Sequence, residues 1–257
     1  MNDLVSIIMP SYNCGYYVED AIRSVQAQTY QNWELIFVDD CSTDETVSIM
    51  LALRENDNRI CIYNNVQNSG AAISRNNGLR HANGRWIAFL DSDDLWEPTK
   101  LEKQIRFMEE NNYKFSYTCY SEMDYDGKET GMVVSGPSHV TKTGMFAYCW
   151  PGCLTVMYDA NEVGLLQIED IKKNNDYAMW LKVCKKADCY LLPEVLAKYR
   201  RGRSGSVSSH GITTMIKWHY RLFRQAERMG VVSSLWHTGI NLVCGFYKKQ
   251  KYVKKVK

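Results

Sequence analysis

The chain has 257 residues, 45% of them hydrophobic and 23% charged, with 5 prolines and 16 glycines. This balance excludes wholesale disorder and collagen-like or low-complexity classes, and the length fits one large α/β domain or one domain with a small appendage. A net charge of +2 excludes a globally basic nucleic-acid binder, yet residues 248–257 hold six lysines and no acid, so residues 1–247 carry −4.

Residues 4–9 form a short β-rich run ending at Pro10. Val18, Ala21, Ile22 and Val25 then recur at helical spacing. Residues 33–38 predict a second strand, stopped by Asp39-Asp40. Ser42-Thr43-Asp44-Glu45 reads as a capping box opening a helix whose buried face is Val47, Met50 and Leu51. Residues 60–63 predict a third strand, and residues 70–82 a helix closed by Asn83-Gly84. Residues 85–90 predict a fourth strand, ending in Asp91-Ser92-Asp93-Asp94. Leu101, Ile105 and Met108 mark another helix, and residues 115–120 another strand.

This alternation implies right-handed crossovers and an α/β fold with a largely parallel central sheet flanked by helices. Ligands in such sheets bind beyond the carboxyl ends of the strands. The polar ends of the first, second and fourth strands are therefore expected to converge on one crevice. Beyond residue 120 the pattern is less regular. Residues 121–144 read as hairpins or loops. Residues 175–186 read as a helix with Tyr177, Trp180, Leu181 and Cys184 on one face. A strand over 191–199, a polar loop over 200–209 and renewed helical patterning from Ile212 through Trp218, Leu222 and Phe223 follow.

The nine cysteines are scattered without C-x-x-C or histidines at zinc spacing, which predicts free thiols in a reducing compartment. No stretch of ~20 apolar residues is present to span a bilayer. The first residues lack a basic leader, so a cytoplasmic location is expected.

Asp91 and Asp93, one residue apart at a strand end, can both turn toward a hard cation, Mn²⁺ or Mg²⁺, whose shell water and phosphate oxygens complete. Alternatively they are acids favoured at a helix start. Of Asp39 and Asp40, the first is expected to order its turn. The second is expected to accept hydrogen bonds from a base N–H or ribose hydroxyl. Asp176 begins a helix and can act as a general base toward a hydroxyl, with Glu169 and Asp170 as competitors and the helix dipole as a structural alternative. Asn68-Ser69-Gly70 with Arg75 and Asn76 can offer donors to phosphate or sugar, or Arg75 can pair with an acid. The 200–208 loop can close over a diphosphate or remain solvated.

Together, Val5-Ser6-Ile7-Ile8-Met9-Pro10-Ser11-Tyr12-Asn13, the Glu34–Asp44 run ending in Asp39-Asp40-Cys41-Ser42-Thr43-Asp44, Asn68-Ser69-Gly70 with Arg75-Asn76, and Asp91-Ser92-Asp93-Asp94 resemble the family 2 glycosyltransferases of GT-A fold. The motifs cover residues 4–110 in order. Residues 170–208 resemble the family more loosely, through Asn-Asp-Tyr-Ala-Met-Trp-Leu and Tyr199-Arg200…Ser206-Val207-Ser208. The resemblance implies a UDP-sugar donor and inversion at the anomeric carbon. It places Pro10, Tyr12 and Asp40 in the nucleoside pocket and Arg75 near the diphosphate. Asp91 falls near the ribose and donor sugar, Asp93 is the direct metal ligand with Asp91 beside it, and Asp176 is the catalytic base. Many relatives carry Glu-Asp where this chain has Asn175-Asp176.

The resemblance further implies a 1–210 catalytic domain, with a nucleotide-sugar half over 1–110 and an acceptor half over 111–210, and a helical 211–257 extension. Small bacterial members extend lipid-linked sugars, so the expected acceptor is GlcNAc-diphospho-undecaprenol and the expected donor sugar glucose, then galactose, in β linkage. Leu235, Trp236, Ile240, Leu242, Val243, Phe246 and Tyr247 precede the lysines and read as an interfacial anchor on an anionic leaflet, at the inner face of the membrane. The alternative is a packed helix with a solvated tail. A D-x-D phosphatase fits poorly, because Leu95 stands where Thr or Val is wanted and the motif is not on an early strand. A dinucleotide oxidoreductase would need G-x-G-x-x-G, which is missing. A non-catalytic sugar-nucleotide binder would keep Asp40 but lack a usable base at 176.

Overall fold

A computed structural model describes residues 3–202 and 211–256. The chain runs β1 (Val5–Ser11), α1 (Val18–Gln26), β2 (Trp33–Asp39), α2 (Thr46–Glu55), β3 (Ile60–Asn64), α3 (Ala71–His81), β4 (Trp86–Phe89), β5 (Leu95–Trp96) and α4 (Lys100–Glu110). It continues through β6 (Phe115–Met123), β7 (Glu129–Val134), β8 (His139–Val140), α5 (Lys142–Ala147), β9 (Met157–Asp159), α6 (Ala160–Val163), α7 (Asn175–Cys184) and β10 (Cys189–Arg200). After residues outside the described set come α8 (Ile212–Arg221), a π-helical turn over Leu222–Ala226, α9 (Val231–Lys251) and β11 (Val253–Lys255).

One sheet carries the strands in the order β11-β7-β6-β9-β4-β1-β2-β3, with β10 beside β6 and also pairing the short β5 and β8. β3, β2, β1 and β4 are parallel, as the strand–helix rhythm requires, and β10 is parallel to β6. The remaining pairs are antiparallel, beginning with β9 between β4 and β6. The continuous parallel block thus belongs to the first half, and the second half is mixed: β10 runs parallel to β6 while β7, β8, β9 and β11 pair antiparallel. The β6–β7 hairpin is antiparallel because its connection is short, whereas residues 124–188 supply the long crossover that lets β10 lie parallel to β6.

Both faces of the sheet are covered. Val5, Ile7 and Met9 of β1 pack with α1, α2 and α4, while Ile8 faces the core that α3, α5 and α7 complete. The alternation is the two-residue period of a strand buried on both sides. Val18, Ala21, Ile22 and Val25 are fully buried, as their spacing predicts.

Three local expectations are corrected. The capping box does not form: α2 starts at Thr46, and Asp44 accepts from the Thr46 amide (3.1 Å) and hydroxyl (2.5 Å), while Ser42 Oγ accepts from the amide of Asn13 (2.9 Å). Ser42 is thus held by the neighbouring strand end, and Asp44 rather than Ser42 serves the helix start. Leu51 is exposed, because α2 presents Met50 and Thr46 to the core instead. α3 ends with Ala82 in extended conformation rather than on a left-handed Asn-Gly cap. Gly84 is required by crowding, since a Cβ there would sit 2.5 Å from the Leu4 carbonyl and 2.6 Å from the Ser6 amide.

The C-terminal residues do not form a loose tail. β11 adds antiparallel to β7, pairing Val253 with Val134. Lys248 turns inward and donates to the carbonyl of Trp150 (2.7 Å). All nine cysteines are free.

Candidate active site

The register Ser11↔Asp39 and Ile8↔Phe89 brings the carboxyl ends of β1, β2 and β4 to one edge of the sheet. A cleft of about 730 Å³ opens there. Pro10, Tyr12, Asp40, Arg75, Asp91, Asp93 and Asp176 all line it, so the expected convergence of strand ends is realised.

Two turns build the first wall. Asn13 and Cys41 both take left-handed backbone conformations (φ 48° and 65°) directly after β1 and β2. Asn tolerates this region; Cys does so at a cost on the order of 1 kcal/mol. Asn13 Oδ1 accepts from the amide of Thr43 (2.8 Å), so the two turns are stapled together. Asp39 Oδ2 accepts from the Ser42 amide (2.9 Å) and orders the turn. Asp40 lines the cleft, and it also shapes the next loop. Its Oδ1 accepts from Asn65 Nδ2 (2.7 Å) and the Ser69 amide (2.8 Å), and its Oδ2 from the Gly70 amide (2.7 Å). That fills three of a carboxylate's roughly four acceptor positions. Gly70, at φ 83°, supplies the bend that delivers both amides.

Arg75 projects from α3 and is buried. Its Nη2 lies 2.5 Å from Asp91 Oδ1 and its Nη1 donates to Asn175 Oδ1 (2.8 Å), leaving a buried Nε without a partner among the described residues. Of the two readings weighed for Arg75, pairing with an acid is realised. Burial disfavours its charge, but Asp91, with Asp176 adding, holds its pKa above the ordinary value.

The Asp91–Asp94 segment is pinned by Arg200, which also lines the cleft. The Arg200 amide donates to Asp94 Oδ1 (2.8 Å), Nε to the Asp93 carbonyl (2.8 Å) and Nη1 to the Tyr125 carbonyl (3.0 Å). Arg200 therefore anchors the acidic loop; Ser206, Val207 and Ser208 lie outside the described residues. Burial, then the charges of Asp93 and Asp91, push the Asp94 carboxyl well above its ordinary pKa.

Asp176 stands in the first turn of α7, where its Oδ1 accepts from the Tyr177 amide (2.8 Å). Burial raises its pKa, and Arg75 pulls it partly back. The competitors sit elsewhere: Glu169 pairs with Lys182 (2.7 Å), and neither Glu169 nor Asp170 lines the cleft. Sequence reasoning missed Lys172, Lys173 and Asn174, which also line it. Consecutive asparagines just before an apolar helix are a helix-start signal that marks this turn. Cys153, read as a buried hydrophobe, is buried but also forms part of the wall.

An α/β sheet whose parallel strand ends carry carboxylates around one large cleft, followed by an antiparallel half, is the GT-A fold of nucleotide-sugar glycosyltransferases. The backbone superimposes on S. aureus TarS in complex with UDP-GlcNAc with a TM-score of 0.70 at 20% identity, over 96% of this chain and 76% of that one. The chain belongs to glycosyl transferase family 2, whose model matches residues 6–147. It is 40% identical over 234 residues to the putative teichuronic acid biosynthesis glycosyltransferase TuaG of Bacillus subtilis, covering 91% of this chain and 92% of TuaG. It is also 40% identical over 215 residues, 84% of each chain, to the Escherichia coli UDP-Glc:alpha-D-GlcNAc-diphosphoundecaprenol beta-1,3-glucosyltransferase WfaP.

Proposed function

We propose that this protein is an inverting hexosyltransferase that moves glucose, or failing that galactose, from a UDP-sugar to GlcNAc-diphospho-undecaprenol, forming a β linkage during surface polysaccharide synthesis. The observation that carries the reading is the meeting of Asp40, Asp91, Asp93 and Asp176 around one cleft in a chain 40% identical to a transferase of that specificity over most of its length. Pro10, Tyr12 and Asp40 hold the nucleoside, Arg75 fixes Asp91, and Asp91 faces the ribose and donor sugar. Residues 1–110 supply the donor half, 111–210 the acceptor half and 211–257 the extension.

In the reaction, Asp176 takes the proton of the acceptor hydroxyl. That oxygen forms a bond to the anomeric carbon as the bond from this carbon to the diphosphate oxygen breaks, its electron pair leaving with UDP. Attack opposite the leaving group inverts the configuration. A carboxylate whose pKa is raised by burial is a stronger base than a solvated one. Holding both substrates in line contributes up to ~7–11 kcal/mol.

The donor set fits a hard divalent cation. Asp93 and Asp91 present oxygen ligands beside a third carboxylate, Asp94, whose protonation their crowding promotes. Among the described residues no group of three or more His, Cys, Asp or Glu side chains can enclose a metal. A site of one or two carboxylates that shares Mn²⁺ or Mg²⁺ with phosphate oxygens and water is the remaining arrangement. Such an ion, when bound, supplies positive charge to the departing diphosphate.

The extension supports attachment to a lipid surface. α9 is inverted: its buried face is Ser234, Thr238 and Asn241, while Trp236 (67% exposed), Val243 and Phe246 (66%) face outward. Lys249, Lys254 and Lys255 are exposed at its end. No helix among the described residues is long and apolar enough to cross a membrane. We place the enzyme on the inner leaflet, resting on this stripe and its lysines. The function is tested by incubating the protein with a panel of UDP-sugars and a synthetic GlcNAc-diphospho-lipid, with linkage analysis of the product. A β-glucosylated acceptor is expected; transfer from no UDP-sugar overturns the reading.

A further inference from the structure

A second cavity, of about 270 Å³, lies beside the cleft between the first turn of α7, the segment after α5 and helix α8. Lys173, Asn174 and Asp176 border both spaces, so the start of α7 is the partition between them. The volume equals that of about nine liquid waters, the scale of a single pyranose ring rather than an oligosaccharide.

The lining points to a polar ligand with an apolar face. Trp218 and Tyr148 contribute aromatic surface. His219 Nδ1 and Asn174 Nδ2 are buried without a hydrogen-bond partner among the described residues. A buried polar atom without a partner is costly unless something satisfies it. Asn174, at φ 58°, takes a left-handed conformation that asparagine tolerates and that turns the chain into α7. Burial lowers the His219 pKa to about 4. At neutral pH the ring is therefore uncharged, with one donor and one acceptor nitrogen, and is suited to hydroxyl or amide groups rather than phosphate.

We propose that this cavity is the subsite for the acceptor's reacting sugar ring, which packs against Trp218, bonds to Asn174 and His219, and presents its nucleophilic hydroxyl to Asp176 at the partition. The inference rests on the transferase reading and deepens it. α8 lies outside the residues 6–147 matched by the family model, so acceptor choice is assigned to a part of the chain that the general family pattern does not describe. The two cavities then deliver donor and acceptor to one carboxylate from opposite sides.

The test is steady-state kinetics with the UDP-sugar that the wild type uses and a water-soluble GlcNAc-diphosphoryl-alkyl acceptor. Trp218→Ala and His219→Ala should each raise the acceptor KM about 3- to 10-fold, leaving the UDP-sugar KM and calorimetric UDP affinity unchanged. Trp218→Phe should restore most of the loss. Met215→Trp, at the exposed rim of the cavity, fills the space without removing packing and should raise the acceptor KM as well. An unchanged acceptor KM in Met215→Trp and His219→Ala, or donor and acceptor KM moving in parallel, overturns the subsite while leaving the transferase reading intact. Absence of transfer by the wild type overturns both.

Discussion

Arg75 and Asp91 are joined at 2.5 Å across the floor of the cleft, and the same guanidinium reaches Asn175 from its other nitrogen. One buried side chain thereby fixes the end of the fourth parallel strand against the start of α7, 100 residues beyond Arg75 itself. The relative position of Asp91 and Asp176 depends on it. Asn175 accepts without adding negative charge, so Asp91 and Asp176 remain the anions that offset Arg75.

Replacing Arg75 should therefore damage both stability and turnover. Arg75→Met leaves Asp91 unpaired, and because Asp91 is a third exposed, the expected cost is about 2 kcal/mol, below that of a fully buried pair. Arg75→Lys keeps the charge but cannot hold Asp91 and Asn175 at once. Its kcat should fall at least about tenfold with a smaller loss of stability. Thermal unfolding with kinetics on both variants is the check; a Lys variant with wild-type kcat would show that the bridge does not position the site.

Asp176→Asn separates chemistry from folding. Turnover should fall by about 10²–10⁴, with UDP binding retained. The stability effect has the opposite sign. Because the folded carboxyl titrates above its ordinary value of 3.8, the folded state binds the proton more tightly than the unfolded chain. The ionised wild type therefore pays a penalty above the folded pKa, and this penalty vanishes as pH falls below the unfolded value. The Asn variant should melt higher than the wild type at neutral pH, with the difference disappearing in acid. The acid limb of the wild-type kcat profile should lie above 3.8. A variant that melts lower at pH 7 would place Asp176 among the stabilising groups instead.

Much of this was legible in the sequence, for a physical reason. Apolar runs of β-type, each stopped by Asp or Asn, mark strand ends that topology forces to one edge, so Asp40, Asp91 and Asp93 could be named from pattern. The commitments of those side chains could not. Asp40 spends most of its acceptors on the Ser69 and Gly70 amides, and Arg200 on the Asp93 and Tyr125 carbonyls. Both depend on contacts between segments far apart in sequence. The outward apolar stripe of α9 was read from the sequence, and Leu235, Trp236, Val243, Phe246 and Tyr247 are exposed. Which polar residues turn to the core was not legible, because that depends on distant contacts such as Asn241 Nδ2 donating to the Phe146 carbonyl (3.2 Å).

The cation site proposed at Asp91 and Asp93 predicts metal dependence. Transfer should fall to background in EDTA and return with Mn²⁺ or Mg²⁺. Asp93→Asn should raise the metal concentration needed for half-maximal rate at least about tenfold, since a carboxylate ligand is lost. Full activity in excess chelator would remove the ion from the reaction.

Lys100 offers a check on the fold away from the site. It is fully buried at the start of α4, bonded to Gln104 Oε1 (2.7 Å) and lying over the Trp96 ring, and burial lowers its pKa to about 7. Between that value and the ordinary 10.5, the unfolded chain binds a proton that the folded chain has released. Stability contributed through this group therefore rises with pH across that window. Lys100→Met, similar in volume, should stabilise the protein most below pH 7, with the gain shrinking toward pH 10. A gain that does not change with pH would mean that Lys100 is not the titrating group.

Lipid attachment is tested on α9 and the strand edge beside it, not by truncation, because removing residues 248–257 would also remove β11 and the Lys248 bond to Trp150. Trp236→Ser with Phe246→Ser changes exposed side chains only. This double variant should lose sedimentation with phosphatidylglycerol vesicles while keeping wild-type turnover on a water-soluble acceptor. Lys249→Glu, Lys254→Glu and Lys255→Glu should each weaken binding to these anionic vesicles by at least about fivefold, the equivalent of about 1 kcal/mol per lysine near the surface. On neutral phosphatidylcholine vesicles the lysine variants should match the wild type, because only the apolar stripe then contributes. If the double variant sediments with anionic vesicles as the wild type does, the stripe is not the contact surface, and attachment must be sought on another face.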